Sequence, residues 1–178
     1  TADAKYRLGI KFTNYGNLVA ERQTVADVAA PYLARLQAAT GETVCLSTLN
    51  TNGRVIVTHL IEGSEPGHIA ARVGYEMDAH SNANGKLVLV PHTPYTITDR
   101  AAFQSQLDLL RGQLIVEQQQ EDILGHSDMA APVFDHLGAC CCAVSIVSST
   151  ARMDEFQGTY RRLLLRAAED ISKKMGYY

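Results

Sequence analysis

The chain has 178 residues, 46% of them hydrophobic and 20% charged, with five Pro, a composition that fits one packed globular domain and excludes a disordered one. A formal net charge of −3, from 16 Lys and Arg against 19 Asp and Glu without a basic cluster, lacks the footprint of a nucleic-acid-binding surface. The longest purely aliphatic run, Leu87 to Val90, is far short of the roughly 20 apolar residues that cross a bilayer, and no secretory segment opens the chain, so the expectation is a cytoplasmic protein with no membrane partner.

Between Leu18 and Thr40 the apolar positions Leu18, Val25, Val28, Ala29, Tyr32, Leu36 and Ala39 mark one helical face, with Gly41 as its stop. Pro31 lies inside this pattern and predicts a kink or a second helix, because it lacks an N–H and its ring strikes the preceding turn. Thr43 to Leu49 and Val55 to Ile61 are rich in β-branched residues and flank Asn50-Thr51-Asn52-Gly53, whose Asn-Gly pair supplies the positive φ of a tight hairpin. Gly63, Pro66 and Gly67 then predict an irregular loop before a short strand at Ile69 to Val73.

Asn82 to Leu89 predicts a short helix ended by Pro91, and a second helix starts at Thr96 or Thr98 and runs through Arg111, with Gly112 after it. Strands follow at Leu114 to Glu117, Met129 to Phe134 and Ala139 to Val147, the last two joined by the turn Asp135-His136-Leu137-Gly138. From about Asp154 to Met175 a final helix aligns Phe156, Tyr160, Leu163, Leu164, Ala167 and Ile171 on one stripe, with acidic residues near its start and Lys173 and Lys174 near its end. Helices at both ends around antiparallel hairpins imply an α+β fold, a mainly antiparallel sheet covered by long N- and C-terminal helices.

No motif favours catalysis or a metal. His59, His68, His80, His92, His126 and His136 make no i, i+4 pair on a predicted helix, which leaves zinc chemistry unsupported. Cys45 and the run Cys140-Cys141-Cys142 are expected as buried, inert free thiols, since neighbouring strand positions face opposite ways and do not converge on one ion. Gly85-Lys86 lacks the phosphate-loop context, having His80 where a Gly and Leu87 where a Ser or Thr is needed. No metal and no cofactor are therefore expected.

In order along the chain, Tyr6-Arg7-Leu8-Gly9, Ala30-Pro31-Tyr32-Leu33, Thr40-Gly41-Glu42-Thr43-Val44, Arg72-Val73-Gly74, His80 with Gly85-Lys86, Glu121 with Gly125, Ala130-Ala131-Pro132-Val133-Phe134-Asp135 and Arg152 resemble successive landmarks of the IclR family effector-binding domain. The resemblance implies a GAF-like domain over residues 1–178 that binds a small-molecule effector such as a small organic or aromatic acid. It also implies a homodimer or homotetramer that contacts DNA only through an N-terminal winged helix-turn-helix domain. The chain opens at Thr1, close to where the family's linker enters this domain, so that DNA-binding part is expected to be absent from this chain.

A helix start presents unpaired N–H groups and a partial positive charge, and the resemblance puts the effector's polar end at Ala83, Asn84 and Gly85, the last with no side chain to block approach. It adds polar positions at Asp128, Ser145 and Gln118, and an apolar wall at Ile69 and Met77. Val147 stands where the family often has a polar residue, implying a less polar pocket than one for a two-carbon acid. On alternation, Ser145 shares a strand face with Cys141, Ala143 and Val147, all small enough to leave a cavity. Asp128 accepts from a hydroxyl or amine and repels a carboxylate; its plainer reading is a solvated strand-end carboxylate, and that of Asn82 to Leu89 an ordinary helix packed on the sheet. After Val90 the chain passes directly into Pro91-His92-Thr93, where many family members carry a longer helix, which implies a shortened lid or dimer surface. The alternatives to effector sensing are an oligomerisation domain with a vestigial pocket and an enzyme on a GAF-like fold.

Overall fold

In chain order the elements are α1 (Val25–Thr40), β1 (Thr43–Leu49), β2 (Arg54–Ile61), β3 (Glu76–Asp78), β4 (Val116–Gln119), β5 (His126–Phe134), β6 (Cys140–Ser149) and α2 (Thr150–Lys174). They are drawn from a computed structural model that describes residue 11 and residues 24–78, 83, 84, 87, 115–119 and 125–177. The predicted helix at 96–111 lies outside the described residues, as do Gly85 and most of the 82–89 segment; residues 83, 84 and 87 are helical.

The strands form one sheet in the order β3-β2-β1-β6-β5-β4, with every ladder antiparallel. Both anticipated hairpins are present, and each has a side chain that builds its turn. Asn50 Oδ1 accepts from the Asn52 and Arg54 N–H groups at 3.0 and 2.9 Å, and Gly53 takes the positive φ of 75°. Asp135 Oδ1 accepts from the Leu137 and Ala139 N–H groups at 2.8 and 3.0 Å. Pairing of β1 with β6 joins the two hairpins, and Pro132 falls where β4 no longer reaches β5, a position that tolerates a missing N–H.

α1 begins in a capping box: Thr24 Oγ1 accepts from the Asp27 N–H while the Asp27 carboxylate accepts from the Thr24 N–H. The helix passes through Pro31 as one element, so no second helix starts there. Pro31 is exposed, and the bond it forgoes, to the Asp27 carbonyl, lies in the first turn, where water can replace it. Gly41 ends the helix at φ 73° with its N–H on the Gln37 carbonyl, and a Cβ there would strike the Glu65 side chain.

One predicted strand is absent and the bounds of β4, β5, β6 and α2 moved. The strand expected at Ile69 to Val73 does not form; the loop turns at Arg72–Tyr75, with Gly74 N–H on the Val57 carbonyl, and β3 follows instead, pairing Arg54, Val55 and Ile56 with Asp78, Met77 and Glu76. β5 and β6 each extend beyond their predicted spans, to His126 and Ser149, and β4 lies two residues later than expected. α2 starts at Thr150 rather than Asp154, because Ser149 caps it by accepting from the Arg152 N–H and β6 enters the helix with no loop between.

Both helices lie on one face of the sheet. Ala29, Leu33 and Leu36 of α1 and Tyr160, Leu164 and Ile171 of α2 pack on Val44, Leu46, Met129, Ala131, Val133, Val144 and Ile146. Fully buried side chains such as Leu33, Leu164 and Ile171 each stabilise the fold by about 1.5–3 kcal/mol. Among the described residues no helix is long and apolar enough to cross a membrane. The opposite face carries a second, smaller cluster: Val55, Val116, Ala130, Cys140 and Ala143 under Ala83 and Leu87.

Alternation fails at one point on β6. Val133 pairs with Cys142 and Phe134 with Cys140, leaving Cys141 as the extra residue of a β-bulge. Cys140 therefore joins the smaller cluster and Cys141 packs on the helix side, so Cys141 does not share the face of Ser145 and Ala143.

Candidate functional site

The ladder registers align two rows on the face away from the helices. Thr43, Val147, Asp128 and Gln118 form one row, and Cys45, Ser145, Ala130 and Val116 form the next. Over these rows sits the helical pair Ala83-Asn84. The Ala83 N–H donates to Asp128 Oδ2 at 3.2 Å, and Asn84 Nδ2 donates to Ser145 Oγ at 3.1 Å. Asn84 is 4% exposed and Ser145 fully buried.

Ala83, Asn84, Asp128 and Ser145 are thus brought together, although 45 residues separate Ala83 from Asp128 and 61 separate Asn84 from Ser145. Asp128 is half-buried and tied to the N–H of the helical residue Ala83, which is more than a solvated strand end. Met77 packs against the smaller cluster beside Val55. Val147 is half-buried between Thr43 and Asp128. Ile69 is not part of that cluster; its carbonyl accepts from Thr43 Oγ1 at 2.5 Å. Gln118 lies opposite Asp128 by backbone register, and Gly85 lies outside the described residues.

One atom at this site is unsatisfied. Asn84 Oδ1 is buried and has no hydrogen-bond partner among the described residues, whereas a buried carbonyl oxygen normally has one. Nearby, burial, reinforced by the Asp128 carboxylate, pushes the Cys45 thiol up to about 12, which keeps that sulfur protonated. Among the described residues no group of three or more His, Cys, Asp or Glu is placed to hold a metal ion. The arrangement offers hydrogen bonding inside an apolar surround.

A second polar cluster, on the helix side, was not anticipated. Glu42 is fully buried; its Oε1 accepts from Arg152 Nε at 2.5 Å and from the Tyr160 hydroxyl at 2.9 Å, while its Oε2 has no partner among the described residues. Arg152 stands above its usual range because it is hydrogen-bonded to Glu42. Both charges were visible as sequence landmarks. The available signal was a Glu between a helix stop and an apolar strand, a position that buries a charge and so requires a partner.

Comparison with known proteins places these features in a family. The profile described as "Bacterial transcriptional regulator IclR C-terminal" matches residues 17–92 and 87–173. The HTH-type transcriptional regulator XynR of Escherichia coli is 27% identical over 98% of this chain and 76% of its own length. The crystal structure of the C-terminal domain of the E. coli transcriptional regulator KdgR superposes with a TM-score of 0.73 at 27% identity, covering 86% of this chain and 99% of that one. The Thermotoga maritima IclR structure gives 0.75 at 28% identity, covering 95% and 75%.

Proposed function

Because this chain belongs to the IclR family of bacterial transcriptional regulators, as its C-terminal effector-binding domain, we propose that its effector binds on the sheet face beneath residues 83, 84 and 87, in contact with Asn84, Ser145 and Asp128. Asn84 Oδ1, which has no partner among the described residues, carries this reading. Leaving such a group buried and unmet costs about 1–3 kcal/mol, and a ligand that brings a hydroxyl or N–H to it recovers that cost on binding. An effector with donor groups also suits Asp128, which repels an unshielded carboxylate.

The Ala83 N–H is engaged by Asp128, so a ligand acid group that takes this N–H must open that contact. The exchange couples occupancy to the position of Ala83 and Asn84 on the sheet. A small organic or aromatic acid bearing hydroxyl or amide groups fits both demands. In the full regulator, a cytoplasmic homodimer or homotetramer, this shift reaches an N-terminal winged helix-turn-helix, and a coupling of about 1–3 kcal/mol between effector and operator would be ordinary. The chemistry is binding rather than turnover.

A thermal-shift screen of hydroxy acids, sugar acids and aromatic acids tests the proposal, since a ligand at one hundred times its Kd stabilises the folded state by about 2.7 kcal/mol. The expected result is a concentration-dependent rise in Tm with one chemical class. A flat response across all of them counts against the site.

A further inference from the structure

The bulge on β6 places two neighbouring thiols on one face of the sheet. Cys141 and Cys142 both pack on the helix-facing side, whereas regular alternation would separate them. The bulge thus brings two neighbouring thiols to the same side of one strand. Cys142 is fully buried, and Cys141 is only half-buried, with its thiol donating to the Val133 carbonyl at 3.4 Å. Effector binding on the other face of the sheet gives this pair no role.

We propose that Cys141 and Cys142 form a peroxide-reactive thiol pair that closes to a reversible disulfide. The Cys141 thiolate attacks one oxygen of hydrogen peroxide; an S–O bond forms, the O–O bond breaks, and the departing hydroxide takes up the thiol proton as water. Cys142 then attacks the sulfenic sulfur; an S–S bond forms, the S–O bond breaks, and the second hydroxide leaves as water with the Cys142 proton. The two sulfurs together lose two electrons and the peroxide gains them.

The division of roles follows from the surroundings. Cys141 is the thiol that solvent reaches, and the neighbouring Cys142 side chain holds it below the usual thiol range although burial and the Asp135 carboxylate oppose this. The same neighbour, with burial, keeps Cys142 protonated, as suits the resolving partner. Neighbouring Cα atoms are about 3.8 Å apart, closer than the roughly 4.4–6.8 Å of a relaxed disulfide, so the ring is strained and readily reduced. Ala143 and Ser145 lie just beyond on the same strand, so distortion at the bulge reaches the effector face.

Intact and peptide mass spectrometry after stoichiometric hydrogen peroxide, with dimedone as the sulfenic acid trap, tests the proposal. Wild type is expected to lose two hydrogens within the peptide holding Cys141 and Cys142, to gain no dimedone, and to recover with dithiothreitol. Cys142→Ser is expected to carry dimedone on Cys141, and Cys141→Ser to show neither product. Unreactive wild type, a disulfide mapped to other cysteines or between chains, or Cys141→Ser reacting like wild type would overturn it. Phenylarsine oxide on wild type needs no variant: two S–As bonds form with release of water, and both thiols should then resist iodoacetamide together. Alkylation of Cys141 in the arsenical's presence contradicts the pairing.

Discussion

Asn84 and Ser145 meet as buried side chains, the amide donating to the hydroxyl at 3.1 Å. This contact fixes one end of the Asn84 amide and leaves the other facing no partner. Ser145→Ala removes the acceptor and strands the Asn84 N–H as well. Stability is expected to fall by about 1–3 kcal/mol, read from the urea midpoint at unchanged slope. Ser145→Phe is a poorer probe, since full burial makes it an overpacking change costing about 1–3 kcal/mol in its own right.

Arg152→Ala should be among the most damaging substitutions away from the apolar core. It leaves Glu42, fully buried, as an uncompensated charge, for which about 3–5 kcal/mol is expected. The double substitution Glu42→Leu with Arg152→Met is expected to cost less than Arg152→Ala alone. Chemical denaturation of the three proteins checks this, and equal losses would mean that the buried charge is not what matters.

The hydroxyl of Tyr160 should titrate late. Burial, with the hydrogen bond to Glu42, pushes it up to about 12 from an ordinary 10.0. The folded chain therefore keeps a proton that the unfolded chain releases in this interval. The contribution to stability is fully present below pH 10 and is lost as pH rises towards 12. Cys45 and Cys140 are also raised to about 12, so the readout is the difference between wild type and Tyr160→Phe. Denaturation at successive pH values should show a shallower decline for the variant.

Ser149→Ala tests the uninterrupted passage from β6 into α2. Loss of the cap on the Arg152 N–H is expected to cost about 0.5–2 kcal/mol, while Ser149→Asp should retain most of the stability. Thermal unfolding of the two variants separates a capping role from simple packing.

What could be read from sequence divides along physical lines. The hairpins were legible because Asn50-Gly53 and Asp135-Gly138 encode their turns locally, and α1 because its apolar spacing and Gly41 do the same. The α2 start was not, since Ser149 serves as the last strand residue and the cap at once, while Asp154 imitates a helix start four residues on. The strand expected at Ile69 lost to a loop because Thr43 and Val57, far away in sequence, supply its backbone partners. Ala83, Asn84, Asp128 and Ser145 were nameable only through family resemblance, and their pairing depends on cross-strand register. The Cys141 bulge left no local trace, and the Glu42 to Arg152 ion pair spans 110 residues, so the position of Glu42 signalled the need for a partner but not which one.

The most direct test is a calorimetric titration of a compound that raises the Tm into wild type and Asn84→Ala. If the effector meets Asn84 Oδ1, affinity should fall by about 1–3 kcal/mol, roughly 5- to 150-fold in Kd, with the variant still folded. An unchanged Kd in a folded Asn84→Ala protein would contradict the assignment and move the effector away from this face of the sheet.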